Sequence, residues 1–228
     1  MLSRPPLAFV MLFAVLLGGL LSACEPGLPD VGAARMPVVM ERDGIRFAFL
    51  GYDSIAPWYA ATPDSPGTAS LDLATLAQDV RRAKARADHV IVGFGWGVEY
   101  VAEPTAFQRE AAGIAVDAGA SLVVGNHPHW AQAVEAIDGA VVAYALGNFV
   151  FDQSWSVETT QGMVIEAGFT VDRTLGYRLR PVVIRGLGTG YRHLFRPEFV
   201  DPAAEGGPIL ERVWDASDRL PERGSGGR

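Results

Sequence analysis

Apolar and polar side chains alternate along this chain in two rhythms, and the changes between them mark out its elements. Ile45 to Tyr52 (IRFAFLGY) is β-branched and aromatic and follows an Asp43-Gly44 turn, which predicts a buried strand. Asp53 to Ser70 contains Pro57, Pro63, Pro66 and Gly67 and reads as a long loop, of the kind that often carries function. Leu73, Leu76, Val80, Ala83 and Ala87 then recur at helical spacing, with Asp72, Asp79, Arg81, Arg82 and Arg86 filling the other face of an amphipathic helix. Val90 to Val92 is a short buried strand. Thr105 to Ala118 is a second helix, with Pro104 near its start and Gly119 just past its end. Ser121 to Val124 is the next strand. This alternation requires crossover connections and predicts an α/β fold with a mostly parallel sheet covered by helices. Beyond it the rhythm shortens. Val134 to Ile137, Asp138-Gly139 and Ala140 to Ala145 predict a hairpin, and Met163 to Val171 and Tyr177 to Ile184 predict two further strands.

Composition narrows the function classes. The 228 residues, 49% hydrophobic and 20% charged, suit one domain with a sizeable core. The formal net charge is -7 and no run of Lys or Arg occurs, so no nucleic-acid partner is expected. After Arg4, Leu7 to Leu21 is apolar and uncharged, the length of a secretion leader's core and short of the roughly 20 residues that span a bilayer. It ends in Leu21-Ser22-Ala23-Cys24, which resembles a bacterial lipobox. The expectation is a leader over 1–23, lipidation of Cys24, and an extracytoplasmic protein anchored to the cell membrane. A plain signal peptide cleaved near Ala23 and an uncleaved anchor are the alternatives. Residues 24–40, rich in Pro, Gly and Ala, read as a tether, 41–200 as the domain, and 201–228 as a polar, partly disordered tail. Cys24 is the single cysteine, so no disulfide is available once it carries lipid.

Candidate chemistry concentrates in Ser121 to His129 (SLVVGNHPH). A hydrophobic strand runs into Gly125, and His127 and His129 follow two positions apart, so on an extended backbone both would point the same way. The C-terminal ends of strands in an open α/β sheet border the usual ligand crevice. Imidazoles there suit Zn, Mn or Fe, with Asp or Asn oxygens completing a harder site.

Three segments carry a family resemblance. Val124 to Glu135 (VGNHPHWAQAVE) is similar to the G-H/N-H-P-H motif, with its trailing Glu, of the capsule-synthesis (CapA-type, poly-gamma-glutamate) family. Tyr144 to Asp152 (YALGNFVFD) resembles that family's Y-S-L-G-N-F-x-F-D motif. Gly95 to Tyr100 (GWGVEY), followed by Pro104 and Gln108, resembles its H-W-G-x-E-Y segment. The resemblance runs from about Pro37 to Ile184 and covers the second half of the family's domain. The D-x-x-L-G-R and N-N-H-x-x-D segments of its first half are not found, and the H-W-G histidine falls on Gly95.

The resemblance implies part of a calcineurin-like metallophosphatase sandwich, layered α/β/β/α, with the N-terminal half missing. It implies His127 and His129 as ligands of a divalent metal (Mn, Zn or Fe), His129 and Glu99 as the groups that carry chemistry, and Glu135 and Asn148 as supports beside them. Asn148 reads equally as a turn residue after Gly147 and Glu135 as an exposed hairpin position; a loop ion pair is the alternative for Glu99, which is better placed, and for Asp152, while His89 and His193 read as structural or exposed. The implied function is synthesis or export of an anionic cell-surface polymer, the partners being the membrane through the lipid anchor and the polymer or capsule machinery. A metal-dependent, hydrolase-like activity belongs to that reading. A non-catalytic binding or scaffold role, and a metallophosphoesterase acting on extracellular phosphoesters, are the alternatives.

Overall fold

The computed structural model describes residues 9–13, 31–186 and 195–222. Its first sheet has the order β2-β3-β4-β5-β7-β6, from β2 (Val38–Arg42), β3 (Ile45–Asp53), β4 (His89–Gly95), β5 (Leu122–Asn126), β6 (Val134–Ile137) and β7 (Ala140–Ala143). β3, β4, β5 and β7 run parallel, and β2 and β6 pair antiparallel at the edges. The crossovers carry α2 (Leu73–Lys84) and α3 (Ala106–Asp117). Asp72 caps α2 by accepting from the Thr75 amide at 2.9 Å, and Thr105 and Gln108 form a reciprocal capping box on α3. Asp43 and Gly44, and again Asp138 and Gly139, take positive φ, which matches both tight turns to strand twist.

A second, antiparallel sheet has the order β1-β8-β9-β10, from β1 (Phe9–Phe13), β8 (Gln161–Phe169), β9 (Thr174–Arg185) and β10 (Arg196–Phe199). Two cores result. On the helix side, Leu76, Val80 and Ala83 of α2 and Ala111, Ala112 and Ala115 of α3 cover Val90, Val92 and Val123. Between the sheets, Phe47, Ile91 and Leu122 meet Met163, Ile165 and Leu179. β4 and β5 are buried on both faces, which is why they read as unbroken apolar runs. His89 lies in the inter-sheet region against Phe47 and Phe169. Its Nε2 donates to the Thr170 carbonyl at 2.6 Å and its Nδ1 contacts Ser121 Oγ at 2.9 Å.

Several expectations need correcting. The proposed tether is folded over its second half: α1 (Val31–Ala34) lies inside it and β2 begins there, and Arg35 grips Asp79 through Nε at 2.7 Å and Nη2 at 2.9 Å. Asp79 was placed on the solvent face of its helix, yet its carboxylate is buried and also accepts from Tyr52 Oη at 3.1 Å and from Arg82. A charge with three donors can be tolerated in a core where an unpaired one cannot. The 201–228 tail contains α4 (Gly207–Asp218). Its Ile209 and Val213 enter the inter-sheet core, its Ala216 enters the helix-side core, and Ser217 Oγ accepts from the Val134 amide at 2.8 Å. The 53–70 loop is pinned by backbone bridges between Asp53 and Ser70 and between Ala60 and Thr68.

β1 falls inside the expected leader and pairs with β8 from Phe9↔Phe169 to Phe13↔Ile165. Cys24 and His193 lie outside the described residues. Among the described residues no helix is long and apolar enough to cross a membrane.

Candidate functional site

Asp53, Gly95 and Asn126 lie at or near the C-terminal ends of β3, β4 and β5, which are adjacent and parallel, so the loops that follow them share one rim. His127 and His129 follow β5 with φ of 98° and 61°, so the backbone is not extended as the two-residue spacing suggested. Left-handed turns, rather than a shared strand face, bring the two rings to 6.1 Å between centroids. Gly125 answers to a close approach of backbone and indole. It lies within β5, where a Cβ would collide with the Tyr144 carbonyl and Trp96 Nε1. That close approach allows Trp96 Nε1 to donate to Tyr144 O at 2.8 Å.

The loop carrying Glu99 is tied to the histidine loop by its backbone. Trp96 N donates to Asn126 O at 3.1 Å and Tyr100 N to Pro128 O at 2.8 Å. Glu99 Oε1 then stands 3.9 Å from His129 Nε2. Behind the loop, Gln108 Nε2 donates to Gln132 Oε1 at 2.8 Å, and Gln132 Nε2 donates to Val101 O at 2.9 Å. These buried amides fix the segment between β4 and α3.

The orientation of His129 follows from one carbonyl. Asn148 is buried, and its Nδ2 lies 2.9 Å from Thr159 O, which can only accept, so the donating end of the amide faces Thr159. Asn148 Oδ1 therefore faces His129 Nδ1 at 2.9 Å and accepts a hydrogen bond from it. Asn148 Nδ2 also donates to Gln153 Oε1 at 3.3 Å, which turns Gln153 Nε2 toward His129 Nε2 at 3.4 Å and Tyr100 Oη at 3.5 Å. In the neutral ring Nδ1 carries the hydrogen and Nε2 presents its lone pair to Gln153 and Glu99. The Tyr100 ring stacks on His129 at 5.9 Å and 20°, and Phe151 flanks it at 5.0 Å.

Burial pushes the His127 imidazole below its ordinary value and His129 adds to that, while Glu99 and Asp53 pull the other way. Tyr100 is raised, first by desolvation and then by its bond to Glu99 and that group's charge. The structure thus brings His127, His129, Glu99 and Asn148 together. It joins Glu135 instead to the Tyr144 hydroxyl, which donates to it at 2.5 Å, and leaves Asp152 exposed. Gln153 and Asp53 were missed by sequence reasoning. Gln153 sits in a segment without periodicity and offers no signal. Asp53 ends a buried strand at the same rim as His127, and that position was the available clue.

Residues 28–153 match the family of the bacterial capsule synthesis protein PGA_cap. The chain belongs to that family. The capsule-synthesis match contains Glu99, His127, His129, Glu135 and Asn148 and stops short of β8, β9, β10 and α4. Among curated relatives, the PGA biosynthesis protein CapA of Bacillus subtilis (strain 168) is 34% identical over 143 residues, 62% of this chain and 37% of that protein. The capsule biosynthesis protein CapA of Bacillus anthracis is 39% identical over 119 residues, 50% of this chain and 29% of that protein. The chain thus aligns with about a third of the length of these two relatives. Among solved structures, a putative 5'-nucleotidase from Staphylococcus aureus in complex with alpha-ketoglutarate aligns over 79% of this chain and 33% of its own, at 15% identity and a TM-score of 0.43. The NAD nucleotidase of Haemophilus influenzae aligns over 81% and 37%, at 11% identity and a TM-score of 0.41.

The donor set bears on the metal expected for this capsule-synthesis chain. A catalytic metal usually takes three protein ligands and a water. Two imidazoles and one carboxylate approach each other here, but among the described residues no group of three or more His, Cys, Asp or Glu side chains converges as a metal site. The residues present do not fit a self-sufficient metal centre.

Proposed function

We propose that this protein is a membrane-tethered, extracytoplasmic member of the capsule-synthesis family that acts in synthesis or export of an anionic polymer of the poly-gamma-glutamate type. The rim carrying Glu99, His127 and His129 is where that polymer is handled. Family membership supports the polymer class, and one observation carries the choice of site: Glu99 and the two histidines, far apart in sequence, meet at the C-terminal rim of the parallel strands. A lone pair on His129 Nε2 beside a carboxylate suits holding an N–H or O–H donor. Tethering through Cys24 belongs to the same reading.

The test is surface polymer measured in cells that depend on this protein, with Glu99→Gln, His129→Ala and Cys24→Ala as variants. Loss of polymer with either rim variant at normal protein level supports the reading, and full polymer with both sinks it. Radiolabelled fatty acid on the wild type but not on Cys24→Ala checks the anchor. A second reading, a metal-dependent hydrolase, has in its favour the Nε2 of His129, which carries no hydrogen in the neutral ring and faces Glu99 as well as Gln153. It needs ligands beyond the described cluster, and it predicts bound Mn, Zn or Fe that falls in His127→Ala and His129→Ala.

A further inference from the structure

A cavity of about 460 Å³ opens between the loops that leave β3 and β4, one step along the rim from Glu99. The volume suits a small-molecule ligand. Its lining is chemically one-sided. Asp53 is the single ionisable side chain among the lining residues, and the nearest basic group named at this rim, His127, is not one of them. Its two oxygens accept from the Ile55 and Ala56 amides at 3.1 and 3.0 Å, which fixes the carboxylate and leaves each oxygen further acceptor capacity. Among the described residues no Lys or Arg forms an ion pair with Asp53, whereas Asp79, Asp88 and Glu166 each have at least one arginine. The neighbouring strand makes room for it: a Cβ on Gly95 would stand 2.9 Å from Asp53 Oδ1. Ile55, Leu71, Val98 and Phe107 form apolar walls, and Phe107 is partly exposed.

A phosphate or carboxylate entering this cavity would meet a carboxylate and no countercharge. A cation would meet a fixed acceptor, and an aromatic wall adds attraction to it. We propose that the Asp53 pocket binds a primary ammonium group carried on a short apolar stem. This goes beyond the capsule reading, because the carboxylate-bearing repeat of an anionic polymer is the wrong charge for the pocket. The ammonium can come from a free amine or from the amino end of an amide-linked polymer.

The test is a titration of the isotopically labelled full chain with n-butylammonium, following the Ile55 and Ala56 amides and the Trp58 indole by NMR. The expected result is saturable shifts with n-butylammonium, at least tenfold weaker binding of isosteric n-butanol, and none of butyrate or inorganic phosphate. Asp53→Asn removes the charge, keeps an oxygen for one of the Ile55 and Ala56 amides, and should weaken butylammonium at least tenfold. Ser70→Tyr, which obstructs the mouth from an exposed position, should do the same. Equal binding of butanol, binding of butyrate, retention of affinity in Asp53→Asn, or no saturable shift would each overturn the proposal. γ-Linked triglutamate and its N-acetylated form separate the sources: binding of the free-amine form alone assigns the polymer's end, and binding of butylammonium alone assigns a free amine. Either result leaves the ammonium pocket standing, and the polymer assay above decides the capsule reading separately.

Discussion

Two single residues set the geometry of the rim. The Thr159 carbonyl dictates the direction of every hydrogen bond from Asn148 to His129, so the imidazole has one neutral tautomer rather than two. Long-range ¹⁵N–¹H spectra at mildly alkaline pH should show His129 with a protonated Nδ1 and a bare Nε2. Asn148→Asp keeps the acceptor and should keep that tautomer, while Asn148→Ala should release the ring to the Nε2–H form that free imidazoles favour. A bare Nδ1 in the wild type would refute the assignment. Gly125 works through volume. With the Tyr144 carbonyl and Trp96 Nε1 both in the way of a Cβ, Gly125→Ala must displace the buried indole or part β5 from β7. Overpacking of this kind costs about 1–3 kcal/mol, and the lost Trp96 bond adds about 1 kcal/mol. A urea midpoint within error of wild type would show that β5 has more room than its neighbours indicate.

At the scale of elements, α2 and β4 each carry a buried polar group with partners far away in sequence. Asp79 joins α2 to the segment before β2 through Arg35 and to β3 through Tyr52. Burial, reinforced by Asp79, holds the Tyr52 hydroxyl well above its ordinary range, so it remains a donor. Removing one member of a buried ion pair typically costs about 3–5 kcal/mol, and partial exposure of both arginines argues for the lower end in Asp79→Ala. His89 has the opposite sensitivity. Its value is lowered, chiefly by burial, so the folded state favours the neutral ring. That stabilisation is complete above the unfolded value of about 6.5 and is lost as pH falls from there through the folded value. Urea midpoints between mildly alkaline and mildly acid pH should fall, and His89→Gln should flatten part of that fall. His127 shifts in the same direction and accounts for some of what remains. These groups also mark what periodicity could reveal. Apolar spacing was enough for β3, α2, β4, α3, β5, the β6–β7 hairpin, β8 and β9, because those elements bury continuous stripes. It misassigned Asp79, since a buried carboxylate and an exposed one occupy the same helical position and only Arg35, 44 residues away, tells them apart. The motif residues Glu99, His127 and His129 were legible as a group, but their route to one another was not, because positive φ at His127 and His129 leaves no trace in residue type.

At the scale of the whole molecule, α4 carries the folded unit past β10. Its apolar positions Ile209, Val213 and Ala216 follow helical spacing but are outnumbered by charged and small neighbours, and the segment therefore read as a solvated tail. In the fold those three side chains are fully buried, two between the sheets and one on the helix side, so α4 joins the two cores. It also satisfies an edge: Ser217 accepts the Val134 amide of β6, and Arg212 donates to Gln161 at the start of β8 at 3.1 Å. Truncating one buried Ile costs about 2–5 kcal/mol, so Ile209→Ala should lower stability by an amount in that range. Deleting the chain from Gly206 onward removes all three anchors and bares the faces of β6 and β9 against which α4 packs. Marginal domains hold about 5–15 kcal/mol in total, so the deletion should leave little cooperative unfolding and a surface that binds an apolar dye. The point variant and the deletion must be read together. If the deletion unfolds with the wild-type midpoint and slope while Ile209→Ala is equally silent, α4 is an appendage and the domain ends at β10. If Ile209→Ala alone costs the expected amount, the helix lying beyond the capsule-synthesis match is nonetheless part of the core that holds the histidine rim in place.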